Sequence, residues 1–259
     1  MDAVGYELKG PEDAENAVAV LTLNEPESRN ALSRAIREGL WAALARFEAD
    51  ERARVAILTG AGDKAFCAGA DLKELAAENL DVPPPGYVPI VGRDVHLSKV
   101  LIAAVNGAAL GGGFLLAQMA DLLVAVEHAT FGMPEARVGR GAPWSVPLSR
   151  MVPRRIWLEM CLTGEPISAR RAHETGFAND VVPSDELMPT AFRLAERIAA
   201  NAPLTVRASR RMVDLAGEMG RTEAWDAADA VFEPVYRSAD AQEGPRAFQE
   251  RRTPRWTGR

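Results

Sequence analysis

Cysteine is nearly absent: Cys67 and Cys161 are the only two in 259 residues, and they make neither a metal-ligand spacing nor a disulfide framework. A reducing compartment is expected rather than a secreted life, and the cytoplasm fits. Histidine is equally sparse, with His96, His128 and His173 too scattered to bind a metal together. No Gly-x-Ser-x-Gly elbow is present for a serine hydrolase. Positive charge is outnumbered, 30 Lys and Arg against 36 Asp and Glu, giving a formal charge of -6. That balance excludes a typical nucleic-acid binder, whose affinity rests on cations neutralising phosphates. Met1 to Gly10 lacks the basic start and apolar run of a secretory leader. Long apolar runs are confined to one, since 100–120 carries no charge, but Asn106, the three glycines 111–113 and Gln118 interrupt it. A strand, a glycine turn and a buried helix suit that stretch better than a membrane span.

What the chain does contain is ample core material, with 47% hydrophobic and 25% charged residues. Apolar runs at 18–23, 55–59, 101–105 and 122–126 predict four strands. Between the first two, Leu32, Ile36, Leu40, Leu44 and Phe47 recur at helical spacing. Arg34, Arg37, Glu38, Arg46 and Glu48 lie between them, so one face is predicted buried and the other solvated. The stretch 81–92 holds Pro83, Pro84, Pro85, Gly86 and Pro89 and is expected to be an exposed loop. Beyond Pro153 helices dominate, at 154–161, 169–175, 185–200, 204–216 and 223–239, with Ser168 and Ser184 as N-caps and Gly164 and Gly176 as stops. The expected organisation is one α/β core over 1–200 and a helical region over 201–259. Trp41, Trp157 and Trp225 are read as core or interface.

Two small-residue segments stand out as chemistry. Leu110-Gly111-Gly112-Gly113-Phe114 follows a buried strand and opens an apolar helix, where glycines admit a ligand close to the backbone and leave N–H groups free. It is neither a Walker loop, lacking Gly-Lys-Ser/Thr, nor a dinucleotide fingerprint, having Leu116 where the third glycine belongs. Oxyanion binding and plain close packing of helix on strand both remain compatible with it. The second segment, Ala65-Phe66-Cys67-Ala68-Gly69-Ala70-Asp71-Leu72-Lys73, is by itself a turn entering a helix.

Together these two segments, with Asn24, Pro26, Asn30-Ala31-Leu32, Ala104-Val105-Asn106-Gly107, Asp121, Phe131-Gly132, Pro134-Glu135, Leu162-Thr163-Gly164, Glu243-Gly244 and Ala247-Phe248, resemble the crotonase (enoyl-CoA hydratase/isomerase) family along nearly the whole chain. The resemblance implies a crotonase-like (ClpP/crotonase) α/β fold of repeated β-β-α units, with a C-terminal helical region that forms homotrimers or hexamers and closes the active site. It also implies a coenzyme A thioester as substrate, with no permanently bound cofactor, no metal, no nucleic acid and no membrane partner. The thioester carbonyl is expected between the backbone N–H groups of Ala70 and Gly112. Coenzyme A is expected along Ala68, Asp71, Leu72 and Lys73, with Arg29, Phe248 and Arg251 as further contacts. Asp71 and Asp121 are otherwise read as turn and capping residues.

Family members that hydrate enoyl-CoA flank the substrate with two glutamates. The position after Phe-Gly-x-Pro is Glu135 here, but the other is Leu115, which cannot carry a proton. Efficient hydration is therefore in doubt, while one-base isomerisation or dehydration remains open. At 139–144, Arg140 and Trp144 replace smaller residues and are expected to reshape the acyl pocket, with Arg140 facing a polar acyl group or a structural partner. A hydrolase or lyase of a polar acyl-CoA, and a non-catalytic acyl-CoA binder, are the alternatives.

Overall fold

The computed structural model describes residues 2–10 and 17–259, so Met1 of the leader window considered above lies outside it. Among the described residues, ten strands form two sheets. The larger contains β1 (Val4–Lys9), β2 (Ala17–Leu23), β3 (Ala53–Gly60), β5 (Val100–Val105), β7 (Leu122–Val126) and β10 (Asp180–Val182), side by side in that order. All pair in parallel except β1 with β2. The smaller contains β4 (Ala65–Cys67), β6 (Ala108–Leu110), β8 (Thr130–Gly132) and β9 (Ile167–Ser168), with β9 antiparallel.

The four strands predicted from sequence are β2, β3, β5 and β7, the interior of the larger sheet. Their residues are apolar almost without interruption because a parallel sheet is covered on both faces. Each of three strands runs on into a short strand of the small sheet and then a helix: β3-β4-α2 (α2 Leu72–Glu78), β5-β6-α3 (α3 Gly112–Gln118) and β7-β8-α4 (α4 Glu135–Val138). These are the repeated β-β-α units. Because β4, β6 and β8 are neighbours and parallel, the starts of α2, α3 and α4 emerge side by side at one end of the small sheet. The uncharged stretch 100–120 accordingly resolves into β5, β6 and α3, and among the described residues no helix is long and apolar enough to cross a membrane.

Helix α1 (Arg34–Ala49) buries Ile36, Leu40, Leu44 and Phe47 as its spacing predicted, capped by the Ser33 hydroxyl. Two details differ. Leu32 precedes the helix and its N–H donates to Gly69 O at 2.8 Å. Arg37, assigned above to the solvated face, is only 7% exposed. The proline-rich segment 81–92 forms no helix or strand, as expected. Downstream come α5 (Arg154–Thr163), α6 (Ala169–Glu174), α7 (Leu187–Ala199), α8 (Pro203–Glu218), α9 (Arg221–Arg237) and α10 (Ala239–Glu250). Ser168 caps α6 through Arg171 N, and Gly164 ends α5 in the left-handed conformation. Ser184 is no side-chain cap: it begins a single 3-10 turn, and α7 starts at Leu187 with its orphan N–H groups following that turn. Trp225 is 65% exposed in the single chain, so it is not core.

Candidate active site

The chemistry gathers where α2, α3 and α4 begin. Asn30 lies under it, fully buried with φ 54°. Its Oδ1 accepts Glu25 N–H at 3.0 Å, and its Nδ2 donates to Ala61 O and Ala65 O at 3.0 and 2.9 Å. The loop it shapes runs beside 68–70: Ala68 N donates to Arg29 O at 3.0 Å, and Leu32 bridges Ala70. Gly69 has φ +95°, and a side chain there would strike Leu110 O at 2.6 Å, so the turn before Ala70 sits directly against the end of β6.

The glycine triplet divides its work. Gly113 is required by packing, because an added Cβ would lie 1.9 Å from Cys67 O. Gly112 abuts Leu32, whose Cδ1 stands 2.4 Å from where its Cβ would be. Gly111, with φ 53°, leaves room for Glu135, whose Oε1 is 3.1 Å from its Cβ position. Close packing is therefore represented at Gly113 and Gly112, while Gly111 lies against the Glu135 carboxyl. The Ala70 and Gly112 N–H groups donate to no acceptor among the described residues, and Ala70 is exposed.

Glu135 is partly buried at the first position of α4, and its Oε2 is enclosed without a hydrogen-bond partner. Burial raises its pKa, offset in part by its own N–H and the Trp144 indole. A carboxyl held this way can carry a proton nearer neutrality than an exposed one. Leu115, 3% exposed, is one turn into α3 and brings only methyl groups. Trp144 stacks edge-on against Phe114 at 6.1 Å, and its carbonyl accepts Gln118 Nε2. Arg140 donates to Leu80 O at 3.0 Å, tying the end of α4 to the end of α2, so its guanidinium has a structural partner.

Asp71 is the N-cap of α2, its Oδ1 accepting from Lys73 and Glu74 N–H, which places Leu72 and Lys73 exposed beside Ala70. Arg29 is exposed on the facing loop with φ 55°. Asp121, the other predicted capping residue, accepts Leu101 N–H and pairs with Arg210. Phe248, 88% exposed, and Arg251, the left-handed cap of α10, lie on a helix that packs mainly on α9. The structure thus brings together Ala68, Ala70, Asp71, Leu72, Lys73, Gly112, Leu115, Glu135 and Trp144, and leaves Phe248 and Arg251 outside that group in one chain.

Sequence reasoning missed Arg37, Leu32's bridging role and Cys161, whose thiol pKa is raised by burial and by the nearby Glu135 charge. Only Cys161's place one helical turn from Trp157 hinted at a shared face. Cys67 is excluded as a nucleophile, since burial pushes its thiol up to about 12. No cluster of metal-ligating side chains occurs among the described residues. A surface groove of about 620 Å³ between β5, β7, α7 and α8 contains the Arg210–Asp121 pair and none of the residues gathered at the starts of α2, α3 and α4.

Two sheets built from β-β-α units, followed by a run of C-terminal helices, define the class: a crotonase-like α/β fold. The comparisons supply the family. Residues 13–259 match the model described as enoyl-CoA hydratase/isomerase, and the chain belongs to that family of acyl-CoA enzymes. It is 37% identical over 252 residues to carnitinyl-CoA dehydratase of Proteus mirabilis, covering 94% of this chain and 96% of that protein. It is 36% identical to a probable mitochondrial enoyl-CoA hydratase of Dictyostelium discoideum, over 92% of this chain and 87% of that one. The crystal structure of an enoyl-CoA hydratase from Mycobacterium marinum superposes with a TM-score of 0.90 at 36% identity, covering 100% of both chains.

Proposed function

We propose that this chain shifts the double bond of an enoyl-CoA or removes water from a hydroxyacyl-CoA, using Glu135 as its one proton-carrying side chain. The observation that carries this is the pairing of a half-buried Glu135 carboxyl, whose Oε2 has no hydrogen-bond partner, against Gly111 with an apolar Leu115. The thioester carbonyl lies between the Ala70 and Gly112 N–H groups. As the α-proton leaves, charge builds on that oxygen, and donors already aimed there contribute ~3–4 kcal/mol each without reorganising. Glu135 takes the proton and returns it, to the γ-carbon in isomerisation or to the departing hydroxyl in dehydration. Hydration and dehydration share one transition state, so the apolar Leu115 in place of a second carboxylate slows both relative to double-bond migration.

Coenzyme A runs over Ala68, Asp71 and Leu72, with Lys73 and Arg29 beside its phosphates. Trp144 and Leu115 bound the acyl group. The 201–259 helices assemble the chain into a homotrimer or a hexamer of two trimers, where Phe248 and Arg251 of one copy cover the site of another. The enzyme works in the cytoplasm. The relatives that act as dehydratases support elimination as well as migration.

Comparing initial rates on 3-trans-enoyl-CoA, 2-trans-enoyl-CoA and 3-hydroxyacyl-CoA tests this. Isomerisation should outrun both hydration and dehydration. Faster hydration would refute the one-carboxylate reading, and hydrolysis of a polar acyl-CoA alone would replace it with a thioesterase-type reaction.

A further inference from the structure

Arg37 is one of few buried charges among the described residues, and its hydrogen bonds reach in two directions. One guanidinium N–H donates to Leu32 O at 2.7 Å, and another to Glu74 Oε1 at 2.6 Å. Its flat face covers the Tyr87 ring at 3.9 Å from the centroid. Glu74 in turn accepts Arg34 N–H at 2.8 Å. Burial pushes the Glu74 carboxyl up, but Arg37 and the Arg34 N–H outweigh it and hold it below the ordinary carboxylate range.

A buried ion pair is a poor source of stability, because apolar groups of the same shape commonly do as well or better. What it supplies is a fixed geometry between the segments it joins. Leu32 is the informative partner. Its N–H is bonded to Gly69 O, one residue before Ala70, and its Cδ1 fills the space beside Gly112. It therefore touches both backbone segments whose N–H groups are assigned to the thioester carbonyl. Glu74 lies in the first turn of α2, which begins directly after Ala70 and Asp71.

We propose that Arg37 is a positioning residue: by gripping Leu32 O and Glu74 at once, it sets the spacing between the Ala70 and Gly112 N–H groups. This rests on the reading that those two groups hold the substrate carbonyl. A point charge on a flexible stem cannot replace it, since a planar fork is needed to serve both acceptors while lying on Tyr87.

The test uses Arg37→Met, which keeps the methylenes on Tyr87 and removes both hydrogen bonds, alongside Arg37→Lys and Glu74→Gln. Two quantities are read: kcat and KM on an enoyl-CoA, and the infrared carbonyl band of bound butyryl-CoA labelled with carbon-13 at the thioester. Arg37→Met should lower kcat by ~10–100-fold, the loss that follows when aimed groups are misplaced. KM should stay within a factor of about two, because the misplaced groups act mainly in the transition state. The bound carbonyl band should move back towards its position in water, and Lys should recover only part of both effects. A wild-type kcat and band in Arg37→Met would overturn the proposal, as would a lower kcat with an unmoved band. Should Arg37→Met fail to fold, Glu74→Gln, which weakens the grip without changing its shape, must show the same two changes on a smaller scale; none would overturn it. A carbonyl band that is unshifted in the unaltered protein would instead refute the assignment of the two N–H groups, and the role of Arg37 with it.

Discussion

Adjacent glycines 112 and 113 should respond to the same substitution in opposite ways. In Gly113→Ala the new methyl would lie 1.9 Å from Cys67 O, where real contacts stay beyond 3.0 Å. Backbone of β4 must then retreat by roughly 1 Å or more from a close-packed position. Overpacking of this kind costs about 3 kcal/mol, the upper part of its usual range. The gain in helix propensity from Gly to Ala is at most ~1 kcal/mol, so destabilisation wins. In Gly112→Ala the obstacle is the Leu32 Cδ1 atom at 2.4 Å, the far end of a side chain that can turn. That costs about 1 kcal/mol of rotamer strain, nearly cancelled by propensity. Leu32 is displaced, however, and with it the gap between the Ala70 and Gly112 N–H groups, which should lower turnover ~10–100-fold. Thermal unfolding and turnover on an enoyl-CoA separate the two. Gly113→Ala should lose ~4–8 °C, while Gly112→Ala should keep its melting temperature and lose activity. A Gly113→Ala protein that melts with the parent would refute the packing argument, and a fully active Gly112→Ala would refute the functional one.

Replacing Glu135 by Gln should stabilise the protein at neutral and alkaline pH. The folded-state pKa of Glu135 is raised by burial, so folding favours its protonated form. That contribution is present below the ordinary carboxylate value and is lost as pH rises through the raised one. The melting temperature of Glu135→Gln should therefore exceed the parent's above that window and match it below; the reverse order would contradict the burial argument. Asn30→Ala removes three hydrogen bonds at a left-handed residue and should cost about 3–4 kcal/mol by denaturant titration. A cost under ~1 kcal/mol, the worth of one such bond, would mean the loop is held elsewhere.

The interior strands and the long helices were legible because burial on both faces and on one face leave different periods in the sequence. The short strands β4, β6, β8 and β9 were not, since two or three residues carry no period, and their pairing is set by what surrounds them. β1 and α10 escaped for another reason. β1 mixes Tyr6, Glu7 and Lys9 on a half-covered edge, and α10 contains Gly244 and Pro245. At the site, residue types in order gave Ala70, Gly112, Glu135 and the apolar Leu115. Arg37 was invisible because an arginine at a helical position reads as solvated, and only its distant partners Glu74 and Tyr87 justify burying it. Trp144's contact with Glu135 likewise depends on how 139–150 folds back over α3.

The central claim is that one carboxylate carries every proton. Incubating the protein with 3-trans-enoyl-CoA and 3-hydroxyacyl-CoA in deuterated water, and following deuterium at the α-carbon by mass spectrometry, tests it most directly. Deuterium entry or double-bond migration in the unaltered protein should fall by ~10²–10⁴-fold in Glu135→Gln, the usual contribution of a positioned acid–base group. Exchange that persists in Glu135→Gln at the parent's rate would show that another group moves the proton.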